Sequence, residues 1–156
     1  MPKEIERKYL LKSDTWKGSV KSSYEIKQGY LSLDPLRTVR VRVKAGIGIL
    51  TIKSKNVGIV RNEYEYIIPN EEALELLELC EKPIIEKVRH EVVFGNWTWE
   101  VDIFGGENNG SEIAEVELSS VDDVVEVPEW IGGEVSGDKR YFNSYLIRHP
   151  FNTWDS

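Results

Sequence analysis

Polar and apolar residues alternate at every second position along most of the chain. EIERKYLL (4–11) carries Glu4, Glu6 and Lys8 on one parity and Ile5, Arg7 and Tyr9 on the other. That period is the mark of a strand with two unlike faces. It predicts strands near 3–11, 24–33, 37–45, 48–55, 60–68, 84–94, 97–104 and 112–119. Gly46 and Gly48 flank one hairpin, Gly95-Asn96 makes a tight turn and GGENNG (105–110) a looser one. The period changes once, where LELLELC predicts a helix over 70–82 that stops before Pro83. Asn70 is its expected N-cap, and Glu71 and Glu72 suit the positive end of its dipole. Short helices are expected between Ser120 and Val125 and over YFNSYLIRH (141–149). About eight antiparallel strands in a meander predict one α+β, mainly antiparallel β domain over 1–156, closed into a barrel because closure removes exposed edges.

The polar parity is unusual in its signs. TVRVRVK sets Arg40 and Arg42 on one face, and LTIKSK sets Thr51, Lys53 and Lys55 opposite Ile52. NEYEYI pairs Glu63 with Glu65, IEKVRHEV pairs Lys87 with Arg89, WEVDIF pairs Glu100 with Asp102, and AEVEL pairs Glu115 with Glu117. A solvated sheet face alone produces alternation. It usually mixes signs, because like charges on neighbouring positions repel. Here each doublet has a single sign and sits mid-strand. An inward charged face explains both facts, with helices such as 70–82 and 141–149 packed over an outward apolar face. An eight-stranded barrel has room inside for side chains or one small ligand. A charged lumen is costly unless its charges are paired or bind ions.

That lumen has a definite chemistry. Carboxylates without His or Cys select hard cations, Mg²⁺ or Mn²⁺. Guanidinium forks match phosphate oxygens and lysines add point charges. The combination points to phosphoryl chemistry on a short polyphosphate. The net charge of -7 argues against a nucleic-acid partner. The lone Cys80 excludes a disulfide framework. No export signal or long apolar run is present, so a cytoplasmic protein with no membrane and no obligate protein partner is expected. His90 lies on the outward parity of its strand and His149 has no ligand set around it.

The ordered motifs resemble one family. Glu4-x-Glu6-x-Lys8 is similar to the ExExK motif of the CYTH superfamily, the triphosphate tunnel metalloenzymes. QGYL (28–31), the Arg40/Arg42 strand, Lys53, Glu63/Glu65, Lys87/Arg89, EVDIF (100–104), AEVEL (114–118) and PEWIGGEVSGDKRYFNSYL (128–146) follow in the family's order. The resemblance implies an eight-stranded antiparallel tunnel and divalent-metal chemistry on triphosphates. It implies Glu4, Glu6, Glu115 and Glu117 as metal carboxylates, with Glu63, Glu65 and Asp102 as further candidates. It implies Lys8, Arg40, Arg42, Lys53, Lys87 and Arg89 as the phosphate clamp, with Lys139 joining from the C-terminal segment. Tyr30 and Lys8 become the catalytic candidates, Tyr30 as a positioning group because a free phenol is a poor base near neutral pH. The C-terminal region is expected to plug one mouth of the tunnel. The favoured activity is cleavage of tripolyphosphate to pyrophosphate and phosphate, with nucleoside triphosphates as further substrates. A class IV-type adenylate cyclase and a non-catalytic polyphosphate- or nucleotide-binding module are the alternatives. The acid set disfavours the pure binder, since carboxylates repel an anionic ligand unless a cation intervenes.

Overall fold

The strands predicted from alternation form a sheet that closes on itself. The computed structural model describes residues 3–154. Its main elements are β1 (Lys3–Leu11), β2 (Val20–Ser32), β3 (Arg37–Lys44), β4 (Ile47–Ser54), β5 (Val60–Ile68), α1 (Asn70–Leu79), β6 (Ile85–Phe94), β7 (Trp97–Phe104), β8 (Glu112–Glu117), β9 (Ile131–Glu134) and α2 (Tyr145–Arg148). Neighbours run β5-β4-β3-β2-β6-β7-β8-β1, and β1 also pairs with β5, so eight antiparallel strands make a barrel. The expected plain meander is therefore broken twice. After α1 the chain returns beside β2, and β1 is inserted between β8 and β5.

The closing seam is short. Lys3–Ile5 pair with Val60–Asn62, after which β1 takes β9 as its neighbour at Tyr9 and Leu11. The alternation did not reveal β9, because Gly132 and Gly133 weaken its strand signal.

Outside the barrel, α1 lies on β3 and β4 and buries Ala73 and Leu77 with Val41 and Cys80. Two glycines permit that approach: a Cβ on Gly29 would fall 2.7 Å from the Cys80 Cβ, and one on Gly48 would fall 2.7 Å from the Ala73 Cβ. Asn70 does not cap α1. Pro69 holds the cap position, its carbonyl accepts the Ala73 N–H at 3.0 Å, and no side chain caps the end. The outer face of β1, β7 and β8 packs around Trp99, Val101 and Val116, and the 3-10 turn Thr15–Ser19 with Trp16 and irregular chain carrying Leu118 and Trp130 cover it.

The helix expected between Ser120 and Val125 is a turn. The Asp123 carboxylate accepts the Ser119 and Ser120 N–H groups at 2.8 and 3.1 Å, and side-chain bonds of this kind compete with helix. The helix expected over 141–149 is split into a 3-10 turn at Lys139–Tyr141 and the short α2, with Phe142, Asn143 and Ser144 between them facing the barrel interior. This segment is not packed on the outside. Leu146 and Ile147 of α2 pack on Tyr30, Ile85, Phe104 and Ile113 and close one end of the barrel. No helix among the described residues is long and apolar enough to cross a membrane.

Candidate active site

β1, β6, β7 and β8 change character along their inward faces at the same end. Starting from the plug, β1 presents Leu10, then Lys8, Glu6 and Glu4. β6 presents Ile85, then Lys87 and Arg89; β7 presents Phe104, then Asp102 and Glu100; β8 presents Ile113, then Glu115 and Glu117. One apolar layer at the plug thus gives way to charge, and the charged part encloses a cavity of about 170 Å³.

The sheet order then sorts the charges by sign. Around the barrel, β4, β3, β2 and β6 are contiguous and bring Lys53, Arg40, Arg42, Lys87 and Arg89 together beside the neutral Gln28 and Tyr30. β7, β8, β1 and β5 are contiguous and bring Glu100, Asp102, Glu115, Glu117, Glu4, Glu6, Glu63 and Glu65 together. Lys8 and Arg61 are the exceptions, single cations within the acidic arc.

Ion pairs bolt the arcs where they meet. At the β6–β7 boundary, Asp102 takes Lys87 at 2.7 Å and Arg89 at 2.8 Å. At the other boundary, Lys53 takes Glu4 at 2.9 Å and Glu63 at 3.1 Å, while Arg61 takes Glu4 at 3.3 Å. Burial opposes the charge on Asp102, but Arg89 and Lys87 hold it well below the usual carboxylate range. Burial likewise opposes Glu4, and Lys53, a hydrogen bond with Glu63 and Arg61 override it in the same direction.

Within each arc the partners differ. Arg42 donates to the Gln28 amide oxygen at 2.7 Å, Arg40 to the Thr51 hydroxyl at 3.3 Å, and Lys87 to the Asn143 amide oxygen at 3.0 Å. The Arg40 Nε is buried with no hydrogen-bond partner among the described residues, so it can serve an anion. On the acidic side, Glu6 lies directly opposite Glu117, and Glu100 directly opposite Glu115. Like charges in that register repel. Burial, Glu115 and Glu4 push the Glu6 carboxyl up to about 8. Burial and a hydrogen bond with Glu4 push Glu63 up to about 7.

Those crowded oxygens fit a hard divalent cation, which would remove the repulsion and take only oxygen donors. Among the described residues no three acidic side chains converge into a ready-made cage.

Most of the candidates from sequence meet in this cavity: Glu4, Glu6, Lys8, Tyr30, Arg40, Arg42, Lys53, Glu63, Glu65, Lys87, Arg89, Glu115 and Glu117 all line it. Asp102 is fully buried behind it and reaches it through Lys87 and Arg89. Lys139 lies outside, in a neighbouring pocket. Lys8 donates to the Tyr141 carbonyl at 3.2 Å and lies 3.6 Å from Glu115. The lining also includes Arg61, Glu100, Lys44 and Thr38, as well as Phe142, Asn143 and Ser144. Parity marks Arg61, two positions before Glu63, and Glu100, the partner of Asp102 in its doublet. No periodic signal marks the three plug residues.

This arrangement has known counterparts. The CYTH domain profile matches residues 2–142. An inorganic triphosphatase of Acetivibrio thermocellus is 49% identical over 155 residues, covering 99% of this chain and 99% of its own. An inorganic triphosphatase of Nitrosomonas europaea is 32% identical over 148 residues, covering 92% and 95%. A solved inorganic triphosphatase structure superposes with a TM-score of 0.68 at 31% identity, covering 92% of this chain and 97% of that one. With its tunnel fold, its two-signed lumen and a profile match across most of its length, the chain belongs to the CYTH domain family.

Proposed function

We propose that the protein is a divalent-metal-dependent inorganic triphosphatase that cleaves tripolyphosphate to pyrophosphate and phosphate, with Mg²⁺ or Mn²⁺ as its ion and nucleoside triphosphates as further substrates. The observation that carries this reading is the sorting of lumen charge into one basic and one acidic arc. The two relatives named inorganic triphosphatase support it.

Arg40, Arg42, Lys53, Lys87 and Arg89 would hold the phosphate chain along the basic arc. The neutral Gln28 and Thr51 fix the direction of Arg42 and Arg40 without cancelling their charge, whereas Lys53, Lys87 and Arg89 are positioned by ion pairs with Glu4, Glu63 and Asp102. Glu4, Glu6, Glu115 and Glu117 would hold the divalent ion, with Glu63 and Glu65 beside them. Bound there, the ion supplies Lewis-acid neutralisation of the charge that develops on the phosphoryl oxygens. Water attacks a terminal phosphorus, the anhydride P–O bond breaks, and the bonding electrons leave on pyrophosphate. Lys8 faces the same space with its proton affinity raised: burial opposes its charge, but Glu115, Glu6 and Glu4 outweigh it, so it stays cationic and can neutralise the leaving oxygen. Tyr30, buried at the plug end, orients the chain.

The test is release of phosphate from tripolyphosphate and from ATP, with Mg²⁺ and with Mn²⁺, by the wild type and by Glu6→Gln. Release that needs the metal and fails in Glu6→Gln is expected. Absence of metal-dependent release from the wild type overturns the reading, and cyclic AMP formed from ATP would replace it with a cyclase.

A further inference from the structure

The plug leaves a second cavity at its side. It measures about 320 Å³ and lies between the β2–β3 turn, the β4–β5 loop and the C-terminal segment. The charged residues lining it are Lys55, Arg61, Lys139 and Arg148, joined by the titratable His149, and no described acidic residue lines it. A chain of net charge -7 does not produce such a surface by composition alone. The cavity shares Thr38, Arg61, Phe142 and Ser144 with the tunnel, so the two adjoin along those side chains.

The cations here are unequally committed. Arg148 pairs with Glu81 at 3.2 Å and Arg61 with Glu4 at 3.3 Å. Lys55 and Lys139 are exposed and form no ion pair among the described residues. His149 stacks on Tyr145 with ring centres 4.2 Å apart and planes inclined by 16°. Away from the plug, the outermost inward groups on β7 and β8 are Glu100 and Glu117, and Glu65 is exposed on β5. Lys44 on β3 faces that mouth as well, so the mouth carries both signs, whereas the charged lining of this pocket is cationic and draws a metal-free polyanion more strongly.

We propose that the pocket is an anion-admitting antechamber, where metal-free inorganic oligophosphate docks before it passes Thr38, Arg61 and Ser144 into the tunnel. This rests on the triphosphatase reading for its link to turnover, but not for binding itself. The two openings are therefore unequal: phosphate is drawn to the plug side, and cations to the carboxylates of the other.

Two measurements test it. The first is steady-state hydrolysis of tripolyphosphate across a range of salt by wild type, Lys55→Glu and Lys55→Arg. Lys55→Glu should raise KM about 5–10-fold at low salt with kcat held, the gap closing as salt screens the pocket, and Lys55→Arg should behave as wild type. The second is the imidazole NMR signal of His149, one of only two histidines, during titration with tripolyphosphate in the presence of a chelator. It should shift in wild type and move far less in Lys55→Glu combined with Lys139→Glu. An unchanged KM and salt slope in Lys55→Glu, or a fall confined to kcat, overturns the antechamber, and so does an unmoved His149. If wild type shows no turnover yet His149 shifts, the triphosphatase reading fails and the anion site stands.

Discussion

The basic and acidic arcs of the tunnel are built in opposite ways. Arg40 and Arg42 are spaced by neutral acceptors, and the Arg40 Nε has no hydrogen-bond partner among the described residues. Their charge remains available to a ligand. The carboxylates instead face one another in register, Glu6 with Glu117 and Glu100 with Glu115. Their charge is a conflict that a cation resolves. One wall is therefore organised to receive an anion, the other to require a cation, and a metal–polyphosphate complex satisfies both. Ion pairs of Asp102, Glu4 and Glu63 tie the arcs where they meet, and Arg89 also reaches Glu100 at 3.3 Å and Glu115 at 3.6 Å.

The largest expected effect comes from breaking a boundary. Asp102→Ala leaves Lys87 and Arg89 buried without their shared partner and should destabilise the fold by about 3–5 kcal/mol. Urea or thermal unfolding measures this. A loss of about 1 kcal/mol or less, the size of a surface pair, would mean that the boundary does not hold the arcs apart.

Next come single groups within each arc. Glu6→Gln should lower turnover roughly 10²–10³-fold, as removal of one preorganised electrostatic group does, and weaken metal binding while leaving tripolyphosphate affinity in chelator unchanged or higher. Arg42→Ala should do the reverse. It loses a charge-assisted contact of about 1.5–3 kcal/mol, which is about 10–100-fold in tripolyphosphate affinity, with metal affinity unmoved. Calorimetric titration of each ligand into each variant separates the two. If both variants lose both ligands equally, the arcs are not distinct sites.

A smaller effect is read from pH. Glu6 and Glu63 bind protons more tightly folded than unfolded, so their contribution to stability is fully present below the ordinary carboxylate range. It is lost as pH rises through about 7 and 8, the values they hold in the fold. Glu4 and Asp102 are shifted the other way, and their contribution is complete above the ordinary range and constant in this window. Burial pushes the Lys87 ammonium down to about 7, which pulls the other way above that pH, so the Glu6 share is read against Glu6→Gln. In chelator, wild-type Tm should fall relative to that variant between pH 6 and 8 (roughly, from these shifts), and excess Mg²⁺ should flatten the difference. Metal binding should also release protons near neutral pH. A wild-type Tm that rises relative to Glu6→Gln across this window in chelator would contradict the acidic crowding.

Much of this was legible in the chain. Mid-strand doublets of one sign pointed to an inward charged face, and the eight strands fall where the alternation predicts them, though β2 starts at Val20, four residues before its expected start. The sorting into arcs was not legible. It depends on β6 returning beside β2 and on β1 closing between β8 and β5, which are long-range choices that no local period encodes. For the same reason parity alone does not distinguish Asp102, sealed behind two cations, from Glu100, which lines the cavity. Lys139 resembled a clamp residue by its neighbourhood in sequence, yet the turn at Lys139–Tyr141 sets it beside the tunnel rather than in it. Phe142, Asn143 and Ser144 carry no charge pattern and gained their place only through the packing of Leu146 and Ile147.

The most direct test of the two-armed wall is a crystal soaked with tripolyphosphate and Mn²⁺ and measured at the manganese absorption edge. The anomalous peak is predicted beside Glu4, Glu6, Glu115 and Glu117, with phosphate density against Arg40, Arg42, Lys53, Lys87 and Arg89. Manganese among the arginines, or phosphate and metal both bound outside the barrel, would contradict the account.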